Sequence, residues 1–454
     1  MSEFSTVQLI QRYSNKLDRK LRQELLELYH PSTSKPSIAR SLIEKSLNRY
    51  KKFSVIAEFN DASCYVEGVK EAQSIVKKHS RCKMKHDYPS INSCCMELSP
   101  NAIGNLLDTC PHTKKLHIDH EVKALLDVAT PSINALQVTD SDINITGRNT
   151  TIAIIDTGIY PHEDLKDHSG TTSKDRIIAF EDLVNHRKGP YDDNGHGTHC
   201  AGDAAGNGFS LNGKFASPAP DANLVGVKVL NRIGSGSLST VTAGVQWCID
   251  YNNNPNNTNK IDIISMSLGA PSTDEETPLE KIVREAWNKH GIVMCVAAGN
   301  EGPDAGTITS PGTVQEVITV GAIDDKNTVV RRDDEIADFS SRNTDNSPIK
   351  PDVVAPGTNI VSLRSPYSYL EILQKNNRIG SNYITLSGTS MATPICAGAC
   401  AQIIEYTRRR GMELTPDELK QILVAGASLR EEWENDRKTY GNGYINIQET
   451  ISLI

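Results

Sequence analysis

No apolar stretch in the 454 residues approaches the ~18 that a membrane-crossing helix needs, so nothing in the chain reads as a membrane span. The opening residues, Met1-Ser2-Glu3-Phe4-Ser5-Thr6-Val7-Gln8, lack the basic segment and apolar run of an export leader, and a cytoplasmic location is the expectation. Basic charge is not in excess either: the formal net charge is −8 and the sequence pI about 5.9, which argues against a nucleic-acid surface. No G-x-G-x-x-G motif follows the first strand and opens a helix, which disfavours a dinucleotide site. Cys396 and Cys400 lie four apart on an expected helix, but no His or further Cys completes metal-ligand spacing, so both are read as core. Without an export signal, the ten cysteines are expected to be free thiols.

What is present is an ordinary globular composition, 38% hydrophobic and 23% charged, in a chain long enough for two or three domains. The run Thr151-Ile152-Ala153-Ile154-Ile155 is apolar at every alternate pair, as in a central parallel strand covered on both faces, and Asp156 ends it at the carboxyl edge where such sheets build sites. His196 precedes a small-residue helix that continues through His199, Cys200, Ala201 and Gly202. Ser390 opens another such helix, where free N–H groups favour developing negative charge. A carboxylate, an imidazole and a hydroxyl are the parts of an activated nucleophile, since a serine hydroxyl needs a neutral imidazole to take its proton and a carboxylate to fix that imidazole. Singly, each residue reads as a turn, cap or core residue.

Together, Asp156-Thr157-Gly158, His196-Gly197-Thr198-His199 and Gly388-Thr389-Ser390-Met391-Ala392 resemble the three motifs of the subtilisin-like serine peptidases (subtilases), in the order those enzymes use. Gly226 to Leu230, Ser265 to Gly269, Ala298 to Glu301 and Tyr440 to Asn446 extend the resemblance over roughly residues 130 to 454. The nearest fit is the cytosolic bacterial branch with a long amino-terminal extension, the AprX-like subtilases. The resemblance implies an α/β fold, a mostly parallel sheet between helices, and a serine endopeptidase in which Ser390 attacks, His196 moves the proton, Asp156 orients His196, and Asn300 donates to the oxyanion. His199 is assigned to structure. Cys200, one turn from His196, is read either as a small core residue or as a thiol whose modification would crowd the site. A catalytically weak binding or scaffold protein on the same fold is the alternative, and the intact Asp156, His196, Ser390 and Asn300 argue against it.

Residues 6 to 30 carry Val7, Ile10, Tyr13, Leu17, Leu21, Leu25 and Tyr29 at helical intervals, which predicts one amphipathic helix within an extension spanning 1–49. From about 50 to 120 the pattern is strand, helix, two strands, helix, strand: the split ferredoxin-like motif. In its position, 50–126 resembles the α+β propeptide domain of subtilases, an intramolecular inhibitor. Residues 127–148 then read as a linker with the processing site, and 149–454 as the catalytic domain.

Substrates are expected to be proteins or peptides, bound as an added strand between Gly234-Ser235-Gly236 and Ser267-Leu268-Gly269, whose glycines let backbones approach. Ser267 to Ala270 and Ala297 to Asn300 would wall the first specificity pocket, with Thr309 at its base. None is ionic, so an apolar or broad preference is expected. The chemistry needs no cofactor. Asp164 matches a carboxylate that some subtilases give to a structural calcium, but Gly206 to Gly213 departs from the ligand pattern, and that ion takes ~6–8 oxygens. Pro366 to Asn382 is longer than a minimal subtilase needs.

Overall fold

Alternating burial along Phe53–Phe59 (β1) marks a strand with one face inward, and it is one of the four strands of the first sheet. The computed structural model describes residues 6–18, 21–22, 25–26, 47, 50–118, 126–136, 138–140, 143–272, 275–344 and 348–454. It divides into two units, Met1–Val122 and Lys123–Ile454.

In the first unit β1 is followed by Ala62–Lys78 (α2), Lys83–Tyr88 (β2), Ser93–Leu98 (β3), Pro100–Thr109 (α3) and Thr113–Ile118 (β4). The sheet order β2-β3-β1-β4, antiparallel throughout, is the split ferredoxin-like arrangement. Asp61 caps α2 through the Cys64 N–H, and Ser99 caps α3 through the Ala102 N–H. The single helix expected from 6 to 30 is corrected: α1 covers only Thr6–Tyr13. Beyond it the backbone turns and pairs with β4, the Asp18 N–H donating to the Leu116 carbonyl at 3.0 Å and the Leu116 N–H to Lys16 at 2.7 Å. Tyr29 lies outside the described residues. Leu9, Leu17, Leu21 and Leu25 fill the same core as Val55, Phe59, Ile103 and Leu106, so these four leucines belong to the fold of 50–118.

The second unit is built on an eight-stranded sheet. Its strands are Thr151–Asp156 (β5), Ile177–Asp182 (β6), Asn223–Lys228 (β7), Ile263–Met266 (β8), Val293–Ala297 (β9), Ile318–Asp324 (β10), Glu335–Ile336 (β11) and Val353–Pro356 (β12). They lie in the order β6-β7-β5-β8-β9-β10-β11, with β12 also beside β10; all pairs are parallel except β10 with β11. Every residue of β5 is buried, as a strand covered on both faces requires. His196–Ala205 (α5) packs on Thr389–Arg409 (α8), and Leu238–Asn253 (α6) on Pro278–His290 (α7).

The reading of 127–148 as a linker is also corrected. Leu126–Ser132 is a helix (α4), and Ala129, Ile133, Ala135, Val138 and Ile145 are buried in the second unit's core. The Thr130 hydroxyl donates to the Ala216 carbonyl at 2.9 Å, tying the segment down. None of the ten cysteines is in a disulfide. Among the described residues no helix is long and apolar enough to cross a membrane.

Candidate active site

Three segments from separate parts of the chain meet at the carboxyl edge of the parallel sheet. Asp156, the last residue of β5, is fully buried, and both its oxygens face His196 Nδ1, at 2.8 and 2.9 Å. A carboxylate only accepts, so Nδ1 carries the proton and Nε2 is left as the basic nitrogen of the neutral ring. Burial alone would push the imidazole down; the Asp156 charge and the Cys200 contact outweigh it and hold His196 well above its ordinary 6.5. Two glycines make this approach feasible. A Cβ on Gly197 would lie 2.2 Å from the Gly158 carbonyl, and one on Gly158 would lie 2.2 Å from the Tyr191 carbonyl, where φ is also +119°.

His196 begins α5, and the turn before it is held by Asp192. That buried carboxylate accepts from the Asn194, Gly195 and Thr198 N–H groups and from the Thr157 and Thr198 hydroxyls, at 2.6 to 3.0 Å. Thr157 Oγ1 in turn accepts from the Gly197 N–H at 2.9 Å. Lys228 lies opposite Asp156 in the β5–β7 register and is fully buried; its ammonium donates to Thr157 O, Leu230 O and Asp193 Oδ1 at 2.6 to 2.8 Å. Neither Asp192 nor Lys228 was singled out from the sequence. A lysine inside the otherwise apolar Leu224 to Leu230 was the available signal, because a buried ammonium must meet acceptors.

Ser390 is the second residue of α8, in the turn whose N–H groups have no partner inside the helix. Its hydroxyl donates to the Ser267 carbonyl at 3.3 Å. Four residues on stands Pro394, which has no N–H to give the Ser390 carbonyl. That carbonyl instead accepts from the Ser267 hydroxyl at 2.8 Å and the Cys200 thiol at 3.4 Å. Cys200 is thereby central to the site: its Sγ is 3.8 Å from His196 Nδ1 and 3.9 Å from Asp156 Oδ2. Burial, partly opposed by His196, pushes the Cys200 thiol up to about 11.

Asn300 follows β9 on the same edge and is exposed. Its Oδ1 accepts from the Thr389 N–H at 2.9 Å and the Thr389 hydroxyl at 3.1 Å. Two donors on one atom identify that atom as the oxygen and leave the amide NH₂ as a donor beside Ser390.

A cleft of about 490 Å³ runs past His196, bounded by Gly234, Ser235 and Gly236 on one side and Ser267, Leu268 and Gly269 on the other. Leu230, Ile233, Leu238, Val241, Leu279 and Leu370 give it an apolar lining. Thr309 packs against both Gly269 and Gly299: a Cβ on Gly269 would be 2.3 Å from Thr309 Oγ1, and one on Gly299 2.9 Å from its Cγ2.

Other expected residues sit elsewhere. His199 is fully buried, with Nδ1 2.8 Å from Asp203 and Nε2 3.1 Å from the Ile360 carbonyl, a structural post. Asp164, the calcium candidate, has its carboxylate taken up by hydrogen-bond donors. Its Oδ1 accepts from the Ser210 N–H and hydroxyl at 3.0 and 2.5 Å, and its Oδ2 from the Tyr383 hydroxyl at 2.6 Å. The buried Arg176 guanidinium donates to the Asp164, Ala205 and Ala222 carbonyls at 2.6 to 2.9 Å. Donors surround that carboxylate and a fixed cation holds the neighbouring carbonyls, so these residues do not fit a calcium ion, which takes acceptors only. Cys295 joins Cys396 and Cys400, the three sulfurs lying within 4.8 Å of one another in the core.

Comparison with known proteins identifies the family. Residues 147–443 match the model of the subtilase family, Peptidase S8. The chain is 47% identical to Serine protease AprX of Bacillus subtilis (strain 168), covering 99% of each, and 30% identical to Subtilisin E of the same organism, covering 87% of this chain and 89% of that one. The crystal structure of a cold adapted subtilisin-like serine proteinase superposes with a TM-score of 0.52 at 28% identity, covering 72% of this chain and 98% of that one. With a family model over most of its length and a full-length relative, the chain belongs to the subtilase family of serine proteases.

Proposed function

We propose that the protein is an endopeptidase working by acyl transfer, with Asp156, His196, Ser390 and Asn300 in the roles their positions suit. The observation that carries this reading is the double approach of Asp156 to His196 Nδ1, at 2.8 and 2.9 Å, which dedicates Nε2 to accepting a proton. As substrate settles, the Ser390 hydroxyl exchanges its 3.3 Å bond to the Ser267 carbonyl for one to Nε2. The oxygen attacks the scissile carbonyl while its proton passes to His196. The resulting oxyanion takes hydrogen bonds from the Asn300 NH₂ and the Ser390 N–H. His196 then gives the proton to the leaving amine, and water repeats the cycle to release the acyl group. Exposed backbone at Gly234 to Gly236 and the apolar lining support extended protein segments as substrates.

The amino-terminal unit acts in this reading as the enzyme's own inhibitor, removed by self-processing, and the working location is the cytoplasm. Cleavage falls before α4, because a cut beyond Ala129 would release that residue from a core that buries it completely. Treatment with a serine-directed phosphonate, followed by mass spectrometry of the modified residue and the new amino terminus, tests both parts. Labelling at Ser390 and a new terminus before residue 126 are expected; a label on any other serine refutes the assignment.

A further inference from the structure

The segment from Ser365 to Leu373, part of the long stretch that precedes the serine motif, is fastened onto the turn that delivers His196. The Ser365 hydroxyl donates to the Asp192 carbonyl at 2.6 Å, the Tyr369 N–H to Asp193 at 3.0 Å and the Leu370 N–H to Asn194 at 2.9 Å. Three successive carbonyls ahead of His196 are thus held by this one segment. The next residue, Gly195, packs so tightly that a Cβ there would be 2.7 Å from Ser368 Oγ. The segment is braced from behind by Glu371, which is buried and pairs with Arg364 and Arg378, each at 2.7 Å. It also accepts from the Tyr367 N–H at 2.6 Å. Leu370, carried on this braced turn (Tyr369–Leu373), is half-buried against the main core and lines the cleft together with His196, Asn194 and Leu230.

We propose that Leu370 is a specificity-determining residue, forming the wall against which the second side chain on the amino side of the scissile bond packs and so selecting an apolar group there. The inference rests on the peptidase reading of the cleft. An extended peptide between Gly234–Gly236 and Ser267–Gly269 places successive side chains on opposite sides. When the first side chain enters the pocket over Thr309, the second faces the His196 side, where Leu370 and Leu230 stand. Among the described residues no acidic side chain, lysine or arginine lines that cleft. Because the wall is held by backbone hydrogen bonds and a buried ion pair, its shape is fixed before substrate arrives, which converts apolar contact into discrimination at little ordering cost.

The test is hydrolysis of tetrapeptide anilides that differ only in the second residue (Ala, Leu, Asp or Lys) by the self-processed enzyme. The wild type is expected to prefer Leu to Ala by about tenfold in kcat/KM, mostly through KM, the scale of a few methylenes in an apolar pocket. In Leu370→Ala that ratio is expected to fall within about threefold of unity, while a parallel series varied at the first residue keeps its order. Leu370→Glu is expected to raise the Lys-to-Leu ratio about tenfold, a gain that loss of folding cannot imitate. Unchanged ratios in both variants, or an equal fall for every anilide, overturn the proposal. If the wild type cleaves no anilide and the phosphonate leaves Ser390 unlabelled, the peptidase reading itself has failed, a distinct result.

Discussion

The two units bury different things. Among the described residues of the first, the buried polar side chains are Ser93, Ser99 and Thr113, and the core is otherwise aliphatic, aromatic and cysteine. The second buries Asp156, Asp164, Arg176, Asp192, Asp203, Lys228, Lys350 and Asp352. Burying a charge costs several kcal/mol unless it is paired and hydrogen-bonded, so such residues persist where they hold other groups in place. The first unit can be understood as apolar burial around a small antiparallel sheet. In the second, Asp192 and Lys228 direct their hydrogen bonds to backbone and side-chain groups of Thr157, Gly195 and Asp193, which flank Asp156 and His196. Stability is concentrated in apolar contacts in one unit; in the other, part of it is tied to the geometry of a site.

Removing the nucleophile separates the two units most sharply. Ser390→Ala is expected to lower turnover about 10⁶-fold, the loss seen when a subtilisin loses its serine, and to leave the chain unprocessed with the first unit folded. Near-normal peptide hydrolysis by that variant would remove Ser390 from its role. Asn300→Ala comes next, with an expected loss of ~10²–10³ in kcat and little change in KM, because in the proposed mechanism its amide donates to charge that exists only during the reaction. A KM effect alone would make Asn300 a binding residue instead.

For the first unit the expected damage is to stability. Leu21→Ala removes a completely buried side chain and should cost ~2–5 kcal/mol in unfolding of a 1–122 fragment, leaving the kinetics of processed enzyme untouched. The same logic predicts that a fragment beginning at residue 50 denatures without a cooperative transition while 1–122 unfolds sharply and inhibits processed enzyme in trans; equal stability of the two fragments would detach the leucines from that core.

Smaller effects sharpen the picture of the second unit. His196 must be neutral to accept a proton, and it is held well above 6.5, so kcat/KM should rise with pH through a midpoint on the alkaline side of that value. In the unfolded chain the imidazole returns to its ordinary range, so the paired, charged form stabilises the fold below that range, and the contribution fades as pH rises through the folded value. A rising limb below pH 6 would contradict the Asp156 pairing. Cys200→Ala should change turnover least, by no more than a few fold. With its thiol near 11 and buried, Cys200 should resist iodoacetamide at pH 8, whereas a mercurial that reaches it should inhibit the wild type and spare the variant.

The sequence was most informative where chemistry and backbone constraint coincide. Asp156, Gly158, His196, Gly197 and Ser390 each satisfy a geometric demand at the site, so their motifs stand out. The second unit's strands were legible because central parallel strands are apolar on both faces. Where reading failed, the deciding contacts were long-range. Leu17 continues the helical spacing of Tyr13 and Leu21, yet it is a bridge to Leu116, ninety-nine positions away, that sets its backbone. The stretch from 127 reads as a linker, and only long-range contacts, the Thr130 hydroxyl to the Ala216 carbonyl and Ser132 to the Tyr444 hydroxyl among them, make its beginning part of the core. Asp164 matched a metal ligand in type, but its partners Ser210 and Tyr383 are brought to it by the fold. Leu370 carries no motif at all.

The proline at position 394 has a spectroscopic corollary. By withholding a helical N–H it leaves the Ser390 carbonyl to accept the Cys200 S–H, and that sulfur sits against both Asp156 and His196. Thiol stretching falls in a region of the vibrational spectrum where proteins have no other fundamental bands, and its frequency follows the strength of the hydrogen bond the thiol donates. The difference between spectra of the wild type and Cys200→Ala therefore isolates one oscillator inside the site. Acylation of Ser390, as proposed, should alter the hydrogen bond its carbonyl accepts and so move that band, which would make the thiol an optical probe of the proposed covalent intermediate, with no label to perturb the cleft.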